Sequence, residues 1–200
     1  HASGDRSITL APETGSDELR VKLNKPIPNA LLLEKVRMIF RQGLRHLKLY
    51  FIIGLPEETE ADIQAILDLA ADCHDIMLEE LAPTGVIGHI HLGTNILVPK
   101  PYTPWQRQPM ADSKALKKKI AFLKKGVAAL PNTSIGAMSI RQARWQTYIS
   151  RAGSSAALLL EQAADGKPIA TLLREHRAQV APEVDEHLDG PLRWHFMRTG

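Results

Sequence analysis

Three short segments gather most of the residues that could do chemistry. The first, Ala11-Pro12-Glu13-Thr14-Gly15-Ser16, places a carboxylate, two hydroxyls and a glycine together. Such a set could hold a ribose diol or the amino-acid portion of a ligand; equally, Ser16 could cap a helix while Glu13 stays solvated. In the second, Ile53-Gly54-Leu55-Pro56-Glu57-Glu58-Thr59, Gly54 permits close backbone approach, so that a flat heterocycle such as adenine could lie against a strand end. The alternative is a strand-to-helix turn in which Pro56 fixes the chain and Thr59 caps. The third, Val98-Pro99-Lys100-Pro101-Tyr102-Thr103-Pro104, is stiffened by its prolines. Lys100 could meet an anion and Tyr102 or Trp105 could stack on a ring, or the segment could be a surface connection.

Other reactive side chains carry less. His89 and His91 alternate onto one strand face, but no carboxylate accompanies them to complete a metal site. Cys73 falls near the end of an amphipathic pattern, where it packs, and the adjacent His74 points elsewhere on a helix. Lys117, Lys118, Lys119, Lys124 and Lys125 read as the solvated side of a helix, or as an RNA-binding patch without interleaved aromatics. No Ser-His-Asp arrangement, P-loop or G-x-G-x-x-G is present.

The elements that would position these segments alternate. Ser7 to Ala11 reads as a strand feeding a helix, and a second helix starts near Asn29 with Leu32, Val36, Ile39 and Phe40 on one face and Gly43 as its stop. Leu47 to Ile53 is nearly all apolar, the pattern of a parallel strand covered on both faces. Thr59 and Asp62 form a capping pattern ahead of Ile63, Ile66, Leu67 and Ala70. His89 to Val98 is a further strand, and a helix from about Asp112 carries Leu116, Ile120, Leu123, Val127 and Leu130 at helical spacing. A short strand is expected over 134–139, and helices follow, punctuated by Gly153, Gly166 and Pro182. Strand-helix alternation predicts an α/β fold with a parallel sheet or part of a β/α barrel over 1–130, and a mainly helical extension over 131–200.

Composition narrows the function classes. A chain of 200 residues, 44% hydrophobic and 24% charged, has the make-up of a globular protein, and no apolar run reaches bilayer-spanning length. Twenty-five basic against 22 acidic residues leave a net charge of only +3, too little to argue for nucleic acid from the whole chain. With one cysteine there is no internal disulfide and no thiolate cluster or zinc site from this segment alone, and a reducing cytoplasm is expected. His1 and the residues after it read as the cut end of a longer polypeptide.

Taken in order, the three segments resemble the later half of radical S-adenosylmethionine (radical SAM) domains, especially the methylthiotransferase-like branch and its relatives with a cobalamin-binding-type domain. Thr9 to Ser16 with Leu19-Arg20 and Asn24-Lys25 looks like that branch's fourth-strand motif. Leu47 to Thr59 is similar to its fifth, and Val98 to Gln106 with Met110 to its sixth. Ile149-Ser150-Arg151-Ala152-Gly153 resembles a segment of its helical extension.

The resemblance implies the carboxyl-terminal part of a partial, TIM-like (β/α) barrel, followed by helices. It implies S-adenosylmethionine as cofactor, with Glu13, Thr14 and Ser16 toward the ribose or methionine portion, Ile53, Gly54 and Leu55 beside the adenine, and Val98 to Lys100 closing that site. The family's C-x-x-x-C-x-x-C motif for a 4Fe-4S cluster is absent; by sequence order it belongs upstream, in the amino-terminal half of the parent chain. The isolated chain should therefore be inactive, and its substrate is not legible. A truncated barrel should also leave an open sheet edge and an apolar inner face through which copies self-associate. The rival expectation is a non-catalytic binding module, RNA-directed through the lysine helix.

Overall fold

The computed structural model describes residues 7–194; the cut-end reading of residues 1–6 lies outside them. Four strands, β1 (Ser7–Glu13), β2 (His46–Ile53), β3 (His89–Ile96) and β4 (Thr133–Ala137), form a four-stranded sheet in the order β1-β2-β3-β4. β1 pairs parallel with β2, and β3 parallel with β4. The parallel α/β arrangement expected from strand-helix alternation is present. Within it, β1 runs two residues beyond the expected strand, through Pro12 to Glu13, with its register broken between Leu10 and Glu13. Pro12 has no N–H to give, which a strand at the end of the sheet order tolerates. Glu13 takes φ +68°, a left-handed conformation that turns the chain out of the strand.

The apolar run Leu47 to Ile53 is covered on one face rather than both. Leu47, Leu49, Phe51 and Ile53 are buried, whereas His46, Lys48 and Tyr50 are exposed. β3 repeats the pattern, with Ile90, Leu92 and Ile96 buried. The helices carry the matching apolar stripes: Val36, Ile39 and Phe40 on α2 (Asn29–Arg41), Ile63, Ile66, Leu67, Ala70, Cys73 and Met77 on α3 (Glu60–Leu81), and Leu116, Leu123 and Val127 on α4 (Ser113–Ala128). The other face is polar, not apolar as expected for the inside of a cut barrel: Ser7, Thr9, Lys48, His89, His91 and Asn95 lie along it.

One helix start is as expected and another differs in detail. Thr59 caps α3 in a reciprocal capping box with Asp62. Burial pushes the Asp62 carboxyl up, but the Thr59 N–H and hydroxyl, the Ser16 hydroxyl and Lys22 together hold it below the ordinary carboxylate range. At α2 the capping position is Pro28, not Asn29. Asn29 instead turns its side chain toward the short helix α1 (Asp17–Lys22), donating from Nδ2 to the Gly15 carbonyl at 2.8 Å.

The described residues divide into two compact units. One comprises residues 7–53, Glu57–Asn95 and Lys117–Ala137 and holds the sheet; the other comprises Gly54–Pro56, Ile96–Leu116 and residues 138–194. Both units draw residues from the expected barrel segment 1–130. The second carries α5 (Ile140–Arg151), α6 (Ala157–Ala164), α7 (Ile169–Glu175) and α8 (Arg177–Val184). No helix among the described residues is long and apolar enough to cross a membrane.

Candidate functional site

In the sheet unit, the loop from Glu13 to Ser16 leaves the carboxyl end of β1 beside Phe51 of β2, its register partner. Glu13 does not stay solvated alone. Its Oε1 accepts from Lys25 Nζ at 2.9 Å, and the same ammonium donates to the Ala11 carbonyl at 2.6 Å, so Lys25 ties both sides of the left-handed turn. Thr14 is 1% exposed. Its hydroxyl oxygen accepts from Ser16 N–H at 3.4 Å and faces inward, away from any ligand in solvent. Ser16 caps α1, its Oγ accepting from Leu19 N–H at 3.2 Å.

Beneath this loop sits Arg20, fully buried. It donates to the carbonyls of Gly15, at 3.2 Å, and Ile27, to Asn29 Oδ1, and pairs with Asp17 at 3.1 Å. Burial lowers its pKa and Asp17 partly restores it. Sequence reading placed Arg20 in a motif without giving it a role. The signals were the i,i+3 spacing from Asp17 and the nearby Asn29, an acid and an amide able to accept from a guanidinium.

Ile53 closes β2 at the same sheet edge as Glu13 and is fully buried. In the second unit, Gly54 adopts φ +78°, and a Cβ there would stand 3.0 Å from Leu116 and 3.1 Å from Ala111. The position thus requires glycine on backbone grounds and leaves the main chain without a side-chain screen. Leu55 is buried. Val98 is half-buried and Lys100 exposed. The loop after Lys100 is a hydrogen-bonded turn: the Lys100 carbonyl accepts from Thr103 N–H and Oγ1, and Tyr102 takes φ +61°.

Gln106 holds that conformation. Its Oε1 accepts from Tyr102 N–H at 3.0 Å and from Trp194 Nε1 at 2.7 Å, while the Tyr102 hydroxyl donates to the Trp194 carbonyl. The Tyr102 hydroxyl and N–H are thereby engaged, while the residue stays exposed. Arg107 fastens the same segment through the carbonyls of Leu188, at 2.9 Å, and Gly190, at 2.8 Å.

Of the remaining candidates, Lys119 leaves the solvated lysine face. It pairs at 2.5 Å with Glu58, whose side chain is 1% exposed. Cys73 is buried in α3, and burial, reinforced by the Asp72 charge, pushes its thiol up to about 12. A thiol so held carries almost no thiolate at neutral pH, which makes it a poor nucleophile. We predict that a thiol-specific disulfide reagent at pH 8 leaves the native protein unlabelled and modifies one thiol per chain only after denaturation; stoichiometric native labelling would contradict this burial. No group of three His, Cys, Asp or Glu suited to a metal ion occurs among the described residues.

Among known proteins, the chain is 28% identical over 122 residues to an uncharacterized protein of Methanocaldococcus jannaschii. The match covers 61% of this chain and 25% of the archaeal protein, so the chain spans about a quarter of that relative. No protein-family profile matches the chain.

Proposed function

We propose that this chain is part of the wall of a radical SAM barrel, belonging in a longer enzyme that cleaves S-adenosylmethionine reductively, and that the parent is cytoplasmic. The observation that carries the reading is the strand order. Four strands run β1-β2-β3-β4 without reversal, with the buried apolar side chains of β2 and β3 on the face that the helices cover. A doubly wound sheet reverses its order and covers both faces, whereas a barrel wall advances in one direction and keeps its helices outside. The order of the three motif segments and their place after β1, β2 and β3 support the same reading.

The cluster does not fit these residues, because the chain has a single cysteine, buried in α3, where the family's motif supplies three. In the family, a 4Fe-4S cluster held elsewhere supplies the electron that splits S-adenosylmethionine. S-adenosylmethionine fits better. Glu13, half-buried and steadied by Lys25, would meet the ribose or methionine portion, and Thr14 and Ser16 would shape its loop. Ile53, Gly54 and Leu55 would flank the adenine mainly through backbone, since the side chains of Ile53 and Leu55 are buried. Val98 and Lys100 would contact the cofactor from the exit of β3. The isolated chain would be inactive, and an open sheet edge would favour self-association.

The test is the full-length polypeptide, reconstituted anaerobically with iron and sulfide and assayed for 5′-deoxyadenosine with S-adenosylmethionine and a reductant. Product should form, and Gly54→Val should weaken cofactor binding at least about tenfold. A full-length protein that takes up no cluster and releases no 5′-deoxyadenosine would end this reading. The RNA-directed alternative has Lys117, Lys118, Lys124 and Lys125 exposed, but not Lys119.

A further inference from the structure

The open face of the sheet carries a cluster that the adenosyl reading does not use. Across β1 to β4 its residues are Ser7, Thr9 and Ala11, then His46, Lys48, Tyr50 and Ile52, then His89, His91, Gly93 and Asn95, then Ser134 and Gly136. No carboxylate occurs among them. Three imidazoles and one ammonium therefore share a surface with hydroxyls and no counter-charge from the strands. His46 and His89 are the first residues of their strands, and their rings lie 6.5 Å apart between centroids.

At the centre, Ser134 Oγ lies 2.8 Å from His89 Nε2 and 2.9 Å from His91 Nδ1. A hydroxyl has one proton and two lone pairs, so with neutral imidazoles it can donate to one ring only while the other donates to it. When both rings are protonated, both donate to Oγ and fill its lone pairs. The Ser134 proton must then point away from the rings, and each imidazolium has a second N–H to offer. The cluster changes from a mixed set of donors and acceptors to a set of donors alone, on the sheet face that also carries Lys48. Gly136 leaves space for this geometry, since a Cβ there would stand 3.4 Å from His91 Cε1 and Nε2.

We propose that Lys48, His89, His91 and Ser134, with His46 at the rim, form a binding site for a tetrahedral dianionic oxyanion, a phosphoryl group in the cell. Several divergent donors suit an ion with four oxygens better than a planar carboxylate, and a dianion supplies the charge the face lacks. Burial first, and then the neighbouring His46 and His91, lower the pKa of His89. A bound dianion reverses that repulsion, so binding draws in protons and strengthens as pH falls. The groups that set the pH response are His46 and Lys48 from β2 and His89 and His91 from β3; β1 and β4 contribute only hydroxyls on this face. The inference rests on the sheet face alone and stands apart from the adenosyl reading.

The test follows the imidazole nitrogens of the intact chain by NMR during titration with sulfate, whose charge does not change between pH 6 and pH 8. Sulfate should shift the His89 and His91 signals and raise their pKa values, with affinity about tenfold or more higher at pH 6 than at pH 8. Lys48→Gln and Ser134→Ala should each weaken binding several-fold, while Lys117→Gln on the opposite, helical side of the sheet unit's chain should not. Inorganic phosphate and ribose 5-phosphate distinguish a free ion from a phosphomonoester as the favoured form. Imidazole signals unmoved by any of the three anions would overturn the proposal. So would equal loss of binding in Lys117→Gln, or a shift by Zn²⁺ without one by sulfate.

Discussion

Gly15→Ala should be the most damaging single-methyl substitution in the sheet unit, lowering unfolding free energy by about 3 kcal/mol or more. A Cβ at Gly15 would lie 2.1 Å from the carbonyl carbon of Ala65, 2.2 Å from Ile66 N and 2.3 Å from Ala65 O. All three are backbone atoms of α3. A side chain in the way could rotate, but a helix backbone can only move as a body, dragging its buried residues with it. The loop cannot retreat either, because the Gly15 carbonyl is held by Arg20 Nη2 at 3.2 Å and by Asn29 Nδ2 at 2.8 Å. Urea denaturation followed by circular dichroism measures the effect. A midpoint within error of the unsubstituted chain would mean that the loop and α3 are not packed this closely.

Arg20→Met should cost about 3 kcal/mol, because it removes the donor on which several buried acceptors depend and replaces it with a side chain of similar length that donates nothing. The Gly15 carbonyl would keep Asn29 as a partner, but the Ile27 carbonyl and Asn29 Oδ1 would lose theirs. Arg20→Lys should recover part of the loss, since a single ammonium cannot span acceptors on both sides of the loop. Chemical denaturation of both variants ranks them. Equal stability of Met and Lys at this position would show that the guanidinium serves only to fill space. Combining Arg20→Met with Asn29→Ala should cost less than the sum of the two, since they share a hydrogen bond.

These two residues mark where sequence reading stopped. Ser16 was legible as a cap, Thr59 and Asp62 as a capping pair, and the stripes on α2, α3 and α4 as core, because each depends on residues within one or two turns of each other. The need for glycine at position 15 was not legible. Its cause is the backbone of residues 65 and 66, some fifty positions away, and nothing in the local composition reports a close approach between loop and helix. The pairings of Glu13 with Lys25 and of Glu58 with Lys119 were missed for a related reason. Surface charges are common, and only the folded chain decides which meet and which are buried.

The run Leu47 to Ile53 shows the same division inside a single strand. Hydrophobicity identified it as a strand but overstated its cover, because Tyr50 is aromatic and yet lies on the open face, its ring leaning over Gly93. Only alternation with His46 and Lys48 carried the one-sided signal, and it is short.

What the amino-acid sequence determined on its own is the succession of strands and helices, their apolar stripes and the local chemistry of their caps, all consequences of periodicity and of side chains near in the chain. What the tertiary structure decided is which polar groups share a surface. His46, His89, His91 and Ser134 come from three strands separated by helices, and only the pairing of parallel strands, which brings distant segments within hydrogen-bonding distance, sets them side by side.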